Sequence, residues 1–151
     1  MDWTQSAEIA TKVAAATAVL LAYLQYRRSV RTRRAEWLSS LHEKFFESGR
    51  YEEIRQVLDY SDEPSYVALE SAVRQGTFNP LANELYRYLN FFELLASLRR
   101  LGQISDKEIL ALFEYDLRMI TRHGFIIDAL APQGFERLPE LLRSTRLLPQ
   151  S

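Results

Sequence analysis

Arg118-Met119-Ile120-Thr121-Arg122-His123 is the tightest grouping of residues able to do chemistry in this 151-residue chain. A histidine shuttles protons near neutral pH, and an arginine neutralises the charge of a pentavalent phosphate. Two positive groups in one pocket would also attract an RNA backbone. The plainer reading is a histidine and two arginines near a helix C-terminus, favoured by the helix dipole at about 0.3–1 kcal/mol. His42, the second histidine, stands beside Leu41 on a long helical stretch and reads as partly exposed. With two histidines and no cysteine, a disulfide framework and thiolate metal sites are excluded, and little is left for a zinc or triad site. No glycine-rich phosphate loop is present, no internal repeat is evident and no cofactor is implied.

The second charged grouping is Arg27, Arg28, Arg31, Arg33 and Arg34, crowded into one short segment of a chain whose formal net charge is -1. Directly before it, Val13 to Leu24 contains only apolar residues and Thr17. Alone that run is short of the roughly 20 residues a membrane span needs. Extended from Ile9 to Tyr26 it takes in Thr11, Lys12 and Gln25, and Lys12 has Glu8 one turn earlier and can snorkel. Trp3 at one end and Tyr23 and Tyr26 at the other resemble interfacial aromatic belts. The arginines follow the apolar run instead of preceding it, so the segment reads as a retained anchor and not a cleaved signal. A single span is therefore expected, N-terminus outside and the bulk of the chain in the cytoplasm. The opposing reading is an alanine-rich helix packed inside a soluble bundle, although no clean polar face separates out between Val13 and Leu24.

Beside a bilayer, the arginines favour anionic lipid headgroups, at about 1 kcal/mol per basic residue. RNA binding would use the same charges, but no aromatic stacking platform is interleaved with them. A purely orienting role is the third option. Ala10, Ala14, Ala18 and Ala22 recur every four residues, a stripe of small side chains that lets helices approach closely in lipid and points to self-association.

The rest of the chain supplies the elements that must hold these groups, and 47% hydrophobic residues suffice for a packed core. No proline or glycine intervenes before Gly49, so the first helix should run on past the arginines with Trp37, Leu38, Leu41, Phe45 and Phe46 on its core side. Tyr51 to Tyr60 reads as a short helix on Ile54, Val57 and Leu58. A turn at 61–64 follows, then a helix from Ser65 to Arg74 carrying Tyr66, Leu69 and Val73 and closed by Gly76. Asn79 caps a central helix opened by Pro80, with Leu81, Leu85, Tyr88, Leu89, Phe92 and Leu95 at helical spacing up to Gly102. Ser105 with Glu108 forms a capping box for the next helix, which carries Ile109, Leu112, Phe113 and Ile120 to a C-cap at Gly124 and forms a helical hairpin with its predecessor. A short helix after Gly124 and a final one around 140–148 complete an all-α fold. The expected layout is a membrane anchor with its basic segment over 1–34 and a cytoplasmic helical domain over 35–151.

RMITRH carries the Arg-x4-His spacing of the HEPN group of helical domains, and the whole layout, through YRRSVRTRRAEW, resembles the small membrane-anchored HEPN-like accessory proteins of type VI-B CRISPR systems. It is similar too to a broad class of bacterial single-span proteins with a segment like RRAEWLSSLHEKFFESGRYEEIRQVL. The resemblance implies a bacterial inner-membrane protein, homo-oligomeric, that forms or gates a pore as an accessory in RNA-guided antiphage defence, with RNA or an RNA-guided effector protein as a partner beside the lipid bilayer. It also implies that Arg118 and His123 correspond to the HEPN pair, which in active members is a metal-independent endoribonuclease site across a dimer. Met119 stands where active HEPN nucleases commonly have a polar residue, which weighs against catalysis. Three readings follow: a non-enzymatic oligomeric membrane protein, a membrane-tethered HEPN-type ribonuclease with Arg118, Arg122 and His123 at a dimer interface, and a soluble helical interaction module.

Overall fold

A computed structural model describes residues 3–46, 49–60 and 63–149, with side chains described at residue 12 and from residue 17 onward. Seven helices and no strand occur among the described residues: α1 (Trp3–Phe46), α2 (Glu52–Asp59), α3 (Pro64–Gln75), α4 (Pro80–Arg100), α5 (Asp106–Arg122), α6 (Gly124–Leu130) and α7 (Arg137–Ser144). The fold is all-α, as the periodicity requires. The chain divides into two compact units, residues 1–44 and 45–151.

The first unit is α1 almost entirely, an unbroken helix of alanine and other good helix formers without a glycine or proline to stop it. The expected membrane span is not supported: among the described residues no helix is long and apolar enough to cross a membrane. The physical reason is length. The uninterrupted run Val13–Leu24 rises about 18 Å at 1.5 Å per residue, against a hydrocarbon core about 30 Å thick, and Lys12 and Gln25 bound it. Trp37, expected toward a core, is exposed.

The second unit holds the core. Asn79 accepts backbone N–H bonds from Leu81 at 2.8 Å and Ala82 at 3.4 Å, and Pro80 supplies the first turn, so α4 starts where its sequence dictates. Leu85, Tyr88, Leu89, Phe92 and Leu95 are all buried on its inner face. α4 packs on α7, α2 and α3, α3 also meets α6, and α5 meets α6 and α7. Phe45, the penultimate residue of α1, belongs to this unit and is ringed by Tyr51, Tyr88, Phe91, Phe92 and Phe113 at centroid separations of 4.6–5.9 Å. Ser105 and Glu108 form the expected capping box of α5. Gly76 ends α3 in the left-handed region at φ 65°, where a glycine carries no Cβ penalty.

Two boundaries differ from the sequence expectation. Gly124 does not cap α5: the cap is His123, at φ -100° and ψ 98°, and Gly124 opens α6. The last helix begins at Arg137 and not near 140, because the Glu93 carboxylate of α4 accepts the backbone N–H groups of Glu136, Arg137 and Leu138 at 3.2, 2.8 and 2.7 Å and starts α7 from outside. Pro139 therefore lies in the first turn, where a missing N–H costs nothing. Of the turn expected at 61–64, Ser61 and Asp62 lie outside the described residues.

Candidate functional site

The end of α5 separates the two residues that the motif placed together. His123 is 5% exposed, whereas Arg118 is exposed and turned onto its own helix, donating from Nε at 2.9 Å and Nη2 at 2.6 Å to Glu114 Oε1. Arg122, also exposed, leans on Met119 Sδ at 3.8 Å. His123 Nε2 lies 3.0 Å from the Leu58 carbonyl oxygen, which can only accept, so Nε2 carries a proton. In the neutral ring Nδ1 is then an acceptor, and Tyr66 OH at 2.9 Å is its donor. Both ring nitrogens are thus engaged, one with the end of α2 and one with α3. Burial lowers the His123 pKa below the usual 6.5, with the Arg122 charge adding to it and the Leu58 bond, Asp59 and Glu70 opposing it. The arrangement clamps three helices, and a substrate hydroxyl would find neither nitrogen open.

A second polar centre was not anticipated. Asp116 of α5, 2% exposed, accepts from Arg55 Nε at 3.0 Å and from Tyr88 OH at 3.2 Å. The same guanidinium lies over the Phe46 ring at 4.7 Å and the Phe45 ring at 6.0 Å, a cation–π arrangement. Burial raises the Asp116 pKa despite the opposing pull of Arg55 and of its hydrogen bonds, and it raises Tyr88 well above the usual 10.0. Nearby Tyr115 OH donates to Asp59 Oδ1 at 2.6 Å. The space bounded by Arg55, Leu58, Asp59, Tyr88, Tyr115, Asp116 and Met119 has no room for a water molecule, so this is a closed knot and not a binding cavity. Its signal in the sequence is positional: Asp116 falls on the stripe Ile109, Phe113, Ile120 at spacings of four, three and four, where an apolar residue is expected.

On α1 the chemistry is surface chemistry. Val19, Leu20, Leu21, Tyr23, Leu24 and Tyr26 are each more than half exposed, and at these positions they take up more than half of the helix circumference, with Ala18, Ala22 and Gln25 on the remaining side. Arg27, Arg28, Arg31, Arg33 and Arg34 follow on exposed turns, and the Arg27 guanidinium lies 5.9 Å from the Tyr23 ring centroid. Ala18 and Ala22 of the alanine stripe are exposed; the side chains of Ala10 and Ala14 lie outside the described residues. Among the described residues, no group of three His, Asp or Glu side chains is placed to hold a metal ion.

Compared with known protein families, with curated proteins and with solved structures, the chain matches none.

Proposed function

We propose that this chain is a non-enzymatic, membrane-associated helical protein, in which the apolar part of α1 is immersed in a bilayer, the arginines lie at its anionic headgroups, and unit 45–151 is the working domain on the arginine side. One observation carries the reading: six large apolar or aromatic side chains between Val19 and Tyr26 are exposed over more than half of the circumference of one helix, with Ala18 and Ala22 in much of the remainder, and give way at once to arginines. In water such a surface is costly, at about 25 cal/mol per Å² of apolar area. A helix that is apolar all round belongs in lipid or in a protein interior. The shortness of the run is met by snorkelling of Lys12 and local thinning of the bilayer, or by association of several copies. In the setting the resemblance implies, assembled copies form or gate a pore in the bacterial inner membrane during RNA-guided antiphage defence.

The ribonuclease reading is the weaker one, because the imidazole that would move protons already has both nitrogens bonded within the fold and Arg118 is engaged by Glu114. Flotation on vesicles tests the proposal. The chain should float with vesicles containing anionic lipid, and replacing Arg27, Arg28, Arg31 and Arg33 by Gln should weaken binding to anionic vesicles while leaving the residual, salt-insensitive binding carried by the apolar run. Recovery of the intact chain in the unbound fraction at low salt would refute it. Dye leakage from the same vesicles tests the pore separately.

A further inference from the structure

Beside α4 lies a cleft of about 590 Å³, lined by Arg50 and Tyr51, which lead into α2, and by Arg87, Asn90, Phe91 and Leu94 of α4. The four α4 residues follow at spacings of three, one and three, so they share one face of the helix. The volume falls in the range of small-ligand sites. Its polar groups are mainly donors: two guanidiniums, a carboxamide and a phenol, against the Glu84 carboxylate that Arg87 holds at 2.7 Å. That pair, three residues apart on one helix, is exposed and holds weakly, so an anion of higher charge takes the guanidinium over.

Tyr51 supplies the observation that points to a ligand. It is 7% exposed, with its ring packed on Phe45, Tyr88 and Phe91 at centroid separations of 5.1, 5.8 and 6.1 Å, and its hydroxyl is bonded to no described residue. A tyrosine this buried ordinarily has its hydroxyl satisfied. Among the described residues no sealed side-chain polar atom lacks a partner, so the hydroxyl is the open part of Tyr51, and it opens on the cleft that Tyr51 lines. The acceptor is left to come from outside.

We propose that this cleft binds a purine nucleotide, its phosphate held by Arg50, Arg87 and the Tyr51 hydroxyl, its base laid on Phe91 and Leu94 with Asn90 at the base edge. Guanidinium forks match phosphate oxygens in geometry as well as charge. Phe91 and Leu94 are three residues apart, about 4.5 Å along α4, which is room for one ring system and too little for an acyl chain. A carboxamide, donor and acceptor together, matches the amino and N7 edge of adenine. The inference rests on residues of unit 45–151 alone and is independent of the bilayer reading.

Equilibrium dialysis of labelled AMP against the full-length chain in detergent tests it. Saturable binding is expected with a dissociation constant of about 10–100 μM, as ordinary ligand efficiency gives for a ligand of this size. Ribose 5-phosphate, the same phosphate without the base, should bind about tenfold more weakly. Arg87→Gln should weaken AMP about tenfold, and Tyr51→Phe, which keeps the ring and its packing, about fivefold without loss of thermal stability. Replacing Arg27, Arg28, Arg31 and Arg33 by Gln should leave AMP binding unchanged, which separates the cleft from the arginines of α1. Absence of saturable AMP binding up to about 1 mM overturns the site. Equal affinity for AMP and ribose 5-phosphate overturns the nucleotide, and AMP binding unaltered by Arg87→Gln overturns the cleft.

Discussion

At the scale of the residue, His123 is bound to its neutral form by geometry. A protonated ring could still donate to Leu58, but its Nδ1 would have to donate to Tyr66 OH, which now supplies that hydrogen, and the charge would be formed in a buried site. The direction of the pH effect follows. Above the usual 6.5 the ring is neutral both folded and unfolded. Below it the unfolded chain takes up a proton that the folded ring resists, so stability falls as pH drops from about 6.5 to the depressed folded value and is flat below that. His123→Asn should destabilise by about 1–3 kcal/mol at pH 8, the cost of leaving buried partners unsatisfied. Chemical denaturation at a series of pH values should show the gap between the native chain and His123→Asn narrowing below pH 6.5; a gap that widens on acidification contradicts this account. The sequence disclosed that Arg118 and His123 are near neighbours, but not which way each side chain turns. That is decided by Leu58 and Tyr66, 65 and 57 residues away, and by Glu114 one turn back.

At the scale of the element, local signals were legible and imported ones were not. Asn79, Pro80, Ser105 and Glu108 lie within the helices they start, so α4 and α5 begin where the sequence places them. The start of α7 depends on Glu93, more than 40 residues earlier, and no local pattern announces it. Glu93→Ala should cost about 1–2 kcal/mol, as the loss of an N-cap does, and should raise amide exchange at Glu136, Arg137 and Leu138 selectively. Uniform exchange changes across the domain would contradict a capping role. The kink in α5 at Phe113, φ -135° and ψ 17°, was likewise silent in the sequence; Phe113 lies at that point in the aromatic cluster around Phe45.

At the scale of the whole molecule, the division is between a bundle whose polar groups are satisfied internally and a helix whose apolar groups are not covered. In unit 45–151 the buried carboxylate Asp116 and the buried imidazole His123 have their partners. Along α1, Val19 to Tyr26 have none of the core neighbours that Phe45 has. The sequence disclosed this contrast as a run of apolar residues beside a run of arginines. It could not supply the solvent, because the same run serves a span, an immersed anchor or a buried helix, and the choice depends on length and surroundings that periodicity does not contain.

The surroundings of Leu21 in the presence of a membrane test the central claim most directly. A polarity-sensitive fluorophore on Leu21→Cys, in a chain without other cysteines, should shift to the blue on adding anionic vesicles and become shielded from an aqueous quencher, while the same label on Phe78→Cys keeps its emission and its quenching. Immersion of α1 predicts that pair of results. A Leu21 label that stays as accessible to the aqueous quencher with vesicles as without them would contradict it.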